Sequence, residues 1–86
     1  MASLRDVLNH AGKKVQVVGS SGVGREGLAM RRGDVALIEP KLAPVAGETL
    51  VFVESGERFR LESAEPQEAL GKTDHYRARV SPLPRG

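Results

Sequence analysis

The sequence predicts a mostly β fold: a small antiparallel β-sandwich or barrel with a short N-terminal helix and one long mobile loop between strands. Three observations carry that prediction. Leu50–Val53 and Arg58–Leu61 are apolar-rich runs on either side of Glu54-Ser55-Gly56-Glu57, and Gly56 can take the positive φ of a tight hairpin turn. Phe59 and Leu61 alternate with Arg58, Arg60 and Glu62, and Tyr76, Ala78 and Val80 alternate with Arg77 and Arg79. Period-two alternation marks strands with one buried face, and here the solvated face is basic. Both Phe residues and the only Tyr lie in this stretch, which places the core there.

Taken in order, Ser3-Leu4-Arg5-Asp6 reads as a capping box, with Ser3 capping and Asp6 reaching back. Leu4, Val7, Leu8 and Ala11 form an i, i+3, i+4, i+7 stripe that Gly12 stops, which predicts a helix over about residues 4–11. So short a helix is marginal alone, so Leu4, Val7 and Leu8 must dock on the sheet or on another chain. Lys14–Val18 is the first strand. Gly19 to Gly27 holds four glycines in nine residues, and Gly19-Ser20-Ser21-Gly22-Val23-Gly24-Arg25-Glu26-Gly27 has little to bury. The expected mobile loop spans about residues 19–33, with Leu28-Ala29-Met30 as its end or a short return strand. Arg31-Arg32-Gly33-Asp34 turns into the strand Val35–Glu39, which Pro40 closes. Ala64–Lys72 reads as a polar connection with room for a helical turn, and residues 82–86 read as an extended tail. These elements make one domain over residues 1–86, with one helix and about five or six short strands.

Eighty-six residues bury a modest core, and without Cys neither a disulfide nor a thiolate zinc site reinforces it. A domain of this kind commonly leans on oligomerisation. His10 and His75 lie far apart in sequence, which predicts no metal site, and neither has neighbours suited to nucleophilic catalysis. Asp74 beside His75 reads as strand-entry chemistry. No cofactor is expected. Val17 to Glu26 superficially resembles a phosphate-binding loop, but Arg25 and Glu26 stand where Lys and then Ser or Thr are required. A carboxylate in place of the metal-bound hydroxyl rules against nucleotide. No apolar run approaches membrane-spanning length, and Met1–Gly12 carries no targeting pattern, so synthesis and folding in the host cytoplasm are expected. The net charge of +2 is mild. Lys13, Lys14, Arg25, Arg31 and Arg32 flank or sit in the loop, while Arg58, Arg60, Arg77 and Arg79 decorate one sheet face. They read as a solvated face, or as a docking surface for another subunit or a polyanion.

The order Pro44-x-x-Gly47-Glu48-x-Leu50, Ser55-Gly56-x-x-Phe59-x-Leu61, Pro66, His75-Tyr76-x-Ala78-x-Val80 resembles the small head–tail joining proteins of tailed bacteriophages and prophages. Glu48 stands where Asp is usual in them, Phe59 where Tyr is frequent and Leu61 where Val is frequent. The resemblance implies a connector, stopper or head-completion subunit in the neck of the virion. It implies a homo-oligomeric ring between portal and tail proteins, with transient, non-specific DNA contact and no enzymatic activity. Gly19–Gly27 with Arg31 and Arg32 would then line the channel or a subunit interface. The alternative is a small nucleic-acid-binding barrel, which calls for exposed aromatic residues.

Overall fold

The computed structural model describes residues 7, 8 and 11–84. It holds six antiparallel strands: β1 Lys13–Val18, β2 Gly24–Arg32, β3 Val35–Ile38, β4 Thr49–Phe52, β5 Arg58–Ala69 and β6 Lys72–Leu83. Their order, β1-β2-β3-β6-β5-β4, closes on itself, because β1 hydrogen-bonds to β2 on one flank and β4 on the other. The sandwich-or-barrel alternative thus resolves as a closed barrel.

Alternation decides what fills it. Val15 faces Phe52, Val17 faces Leu50, Leu50 faces Phe59, and Leu61 faces Val80 across the ladders. These side chains, with Ala29, Ala36, Ile38 and Ala78, are buried. Phe52 and Phe59 meet edge to face with centroids 5.7 Å apart, the arrangement that ring quadrupoles favour. Arg58, Arg60, Arg77 and Arg79 are all exposed, as the alternation of β5 and β6 requires.

Four expectations need correction. The segment expected as a mobile loop over 19–33 is a hairpin: only Gly19–Val23 turns, and β2 occupies Gly24–Arg32. Its backbone ladder with β1 runs from Lys13↔Ala29 to Val18↔Gly24 and needs no large side chains. Gly27 is there because the barrel end is tight, since a Cβ on it would stand 2.8 Å from Leu42 Cδ1. Second, the connection Ala64–Lys72 is no helical turn, for β5 and β6 run on to a two-residue turn at Leu70-Gly71. Both its residues have positive φ, 54° and 76°, the pairing that suits hairpin twist. A bulge between Leu61 and Ser63 inserts Glu62 and shifts the phase, so Ala64 rather than Ser63 follows Leu61 on the inner side. Third, the tail is paired as far as Leu83, with Pro82 opposite Phe59. Fourth, Tyr76 is only partly buried, packing against the core rather than inside it.

The helix over 4–11, its capping box and His10 lie largely outside the described residues. Val7, Leu8 and Ala11 have helical backbone, Gly12 N–H donates to Leu8 O at 2.8 Å, and Leu8 is buried while Val7 is exposed.

Phe59→Ala should cost about 3–5 kcal/mol, enough to unfold so small a domain, whereas Arg60→Ala should stay within about 0.5 kcal/mol. Urea unfolding of the two variants checks this, and equal losses would mean that β5 is displaced by one residue.

Candidate functional site

The residues singled out between Gly19 and Arg32 do not form one surface. They split between the two ends of the barrel and the turn. Gly19–Val23 closes the β1–β2 hairpin, with Gly22 N–H donating to Gly19 O at 3.0 Å and Gly22 at φ 82°. This turn is uncharged, and Val23 stands exposed in it. Glu26 is exposed beside Gln16, whose Nε2 donates to Glu26 Oε1 at 3.2 Å.

Arg25 was expected at a loop tip, and instead it is the clasp of the adjoining barrel end. Paired with inward-facing Val17, it projects to the inner side, where Nη1 and Nη2 donate to the two carboxylate oxygens of Glu48 at 3.1 and 2.8 Å. Its Nε donates to the carbonyl of Leu42 at 3.0 Å. The Val45 amide donates to Glu48 Oε1 at 2.8 Å. Fork-to-fork geometry makes this the strong form of an ion pair. The pair ties β2 to the β3–β4 connection, where the single 3-10 turn Pro40–Leu42 drops buried Leu42 over Gly27. Glu39 ties the same connection to β2, accepting from the Leu28 amide at 2.9 Å.

The Glu48 carboxyl is held below its ordinary value of 4.5, chiefly by the Arg25 hydrogen bonds and, more weakly, by the Val45 amide, against the opposing effect of burial. The same bonds raise Arg25. With side-chain exposures of 39% for Arg25 and 14% for Glu48, solvent screens part of the attraction.

Arg31 lies at the other barrel end. Its guanidinium sits 4.7 Å from the centroid of Phe59, and Nη1 donates to Gly33 O. A surface hollow of about 420 Å³ opens there between Lys13, Arg31, Phe52 and Glu57, with both charge signs on its walls. Arg32 is outward and exposed, and Val35 lies between it and Arg79 in one row. Six residue steps along β2 separate Arg25 from Arg31, about 20 Å at strand rise.

Val17 to Glu26 forms an antiparallel hairpin and not the strand–loop–helix of a phosphate-binding loop. His75 Nδ1 lies 3.0 Å from Asp74 Oδ2, and Asp74 is the residue inserted at the second β-bulge, between Thr73 and His75. Among the described residues no group of three His, Cys, Asp or Glu side chains is placed to hold a metal ion, and no helix is long and apolar enough to cross a membrane.

What sequence reasoning missed is Glu48 as the partner of Arg25. The visible signal was an acid directly after Gly47, ahead of β4. Comparison with protein-family models, with curated proteins and with solved structures finds no match for this chain.

Glu48→Gln should cost about 1–3 kcal/mol at neutral pH, through loss of charge-assisted bonds to Arg25. A depressed carboxyl stabilises the fold fully above its unfolded value of 4.5 and stops doing so as pH falls through the folded one. The gap between wild type and Glu48→Gln in urea unfolding should therefore shrink as pH falls below 4.5. An unchanged gap would deny the charge any share.

Proposed function

We propose that this chain is a structural subunit of a tailed-phage neck, a connector or stopper assembling as a ring between portal and tail. The observation that carries the reading is where the head–tail motif falls. Gly47-Glu48 enters β4, Ser55-Gly56 turns it, Phe59-x-Leu61 lies in β5 and Tyr76-x-Ala78-x-Val80 in β6, so the pattern covers one continuous meander of the barrel. The motif's acid supports the same reading, since Glu48 does structural work at the barrel end and is not free for catalysis. The subunit of this proposal includes the short helix over about 4–11, with Leu8 already buried.

In such a ring, contacts repeat head to tail and close by rotation. The element offered to the lumen is the Gly19–Val23 turn. Cationic contacts to phosphate create salt-dependent grip, and an uncharged turn of small residues supplies none, as suits a channel that must let DNA slide. Arg25, bound to Glu48, is not available for that task.

The outward arginines favour a second reading, a nucleic-acid-binding barrel. Stacking platforms are what that reading lacks, because Phe52 and Phe59 are buried and Tyr76 packs on the core.

Removal of the protein from the phage or prophage that encodes it should leave DNA-filled heads that lose DNA or fail to join tails, with complementation restoring infectious particles. Electron microscopy of the lysate and plaque counts read the result. Normal, fully infectious particles in its absence would end the neck reading.

A further inference from the structure

Two features at opposite ends of the molecule have no part in closing the barrel. The first is the tip of the β5–β6 hairpin. Gln67–Ala69 and Lys72–His75 pair with each other and with no other strand among the described residues, so this end of the hairpin stands clear of the wall. At its turn Leu70 is fully exposed and holds a positive φ of 54°. That backbone is ordinarily left to Gly, Asn or Asp, because a larger side chain is strained in it. A bulky apolar side chain kept in water on such a backbone serves nothing in the fold, and an outlier of this kind points to a contact.

The second is the hollow of about 420 Å³ at the Arg31 end. β5 starts at Arg58, next to Glu57 on the rim of this hollow, and runs twelve residues to Ala69, in a molecule 41 Å long. A tip can therefore enter only another copy's hollow. Phe52 and Met30 give the hollow its apolar surface. Lys13 and Arg31, from β1 and β2, stand on one side of it, and Glu54 and Glu57, from the β4–β5 turn, on the other. Among the described residues no ion pair joins the two sides. The tip carries the matching set. Glu68 and Lys72 flank Leu70 on opposite strands, and they belong to successive cross-strand pairs, Glu68↔Thr73 and Ala69↔Lys72, which turns them to opposite faces.

We propose that the Leu70 tip of one copy inserts into the hollow of the next. Leu70 then lies against Phe52 and Met30, Glu68 beside Lys13 and Arg31, and Lys72 beside Glu54 and Glu57. Each partner carries both signs, so the charges fix how the tip is turned, while burial of Leu70 supplies the attraction. The two surfaces differ, which makes the contact head to tail and generates a ring where the rotation closes. The proposal deepens the ring reading and rests on it for closure, while the contact itself is tested in solution.

The test uses the intact chain. In sedimentation the wild type should self-associate, and Leu70→Asn should do so at least about tenfold more weakly. Asn accepts the positive φ and Asn-Gly is a favoured turn, so the urea midpoint of this variant should not fall. The chain holds no Cys, so introduced cysteines report contacts without background. Ala69, Ser55 and Ser21 are all exposed. Mixed and oxidised, Ala69→Cys and Ser55→Cys chains should form the mixed disulfide, and a chain with both should form a ladder of linked multimers. A Ser21→Cys chain, altered in the β1–β2 turn, should not link to Ser55→Cys. A wild type that stays monomeric, a Leu70→Asn chain that associates as tightly, or a Ser55→Cys chain that links as readily to Ser21→Cys as to Ala69→Cys would overturn the proposal. So would binding of a monomeric chain to phosphatidylglycerol vesicles through Leu70, which would make a lipid surface the partner of the tip. A ring that forms without Leu70 removes the tip contact and leaves the neck reading standing. Association that needs Leu70, alongside normal particle assembly without the protein, removes the neck reading alone.

Discussion

The double pairing of β1 is the constraint on which the rest of the structure depends. Lys13–Val18 bonds to β2 on one flank and β4 on the other, and this turns a small sheet into a barrel whose strands seal one another. A chain without Cys cannot brace itself covalently, and closure substitutes for that brace by burying Val15, Val17, Leu50, Phe52, Phe59 and Leu61 around a single axis. Closure also creates a need, because a barrel has two open ends. One is filled by Leu42 over Gly27 and clasped by Arg25 and Glu48, and the other has the Arg31 guanidinium over Phe59. Two arginines on one strand thus stand at opposite ends of the barrel and share no surface.

A sealed barrel has few places from which to engage a partner. Strand edges inside the wall are occupied, so contacts fall to what projects or faces outward. Here those are the uncharged β1–β2 turn, the tip of the β5–β6 hairpin and the exposed Arg32, Arg58, Arg60, Arg77 and Arg79.

The sequence discloses the parts of the fold whose signal is local. The β4–β5 hairpin and the inward set Phe59, Leu61, Ala78 and Val80 follow from alternation around Gly56. β2 was hidden because glycine density reads as loop, whereas Gly27 answers to the close approach of Leu42, which the sequence does not show. The outer half of the β5–β6 hairpin was hidden by the Glu62 bulge, which breaks the period of two midway along β5, and by a Leu-Gly turn without the usual Asn or Asp. Arg25 and Glu48 are 23 residues apart, and only barrel closure brings them together. The basic residues were therefore countable from the sequence, while their division between the barrel ends and the outward face was not.

Native-state amide hydrogen exchange of the single chain, at salt high enough to keep copies apart, tests the central claim most directly. With β1 closed on both flanks, the amides of Val15–Val17 should exchange only through global unfolding, while those of Gln67–Lys72 at the tip of the β5–β6 hairpin should exchange much faster. A β1 that exchanges as readily as that hairpin tip would mean an open sheet, and would contradict closure as the source of this domain's stability.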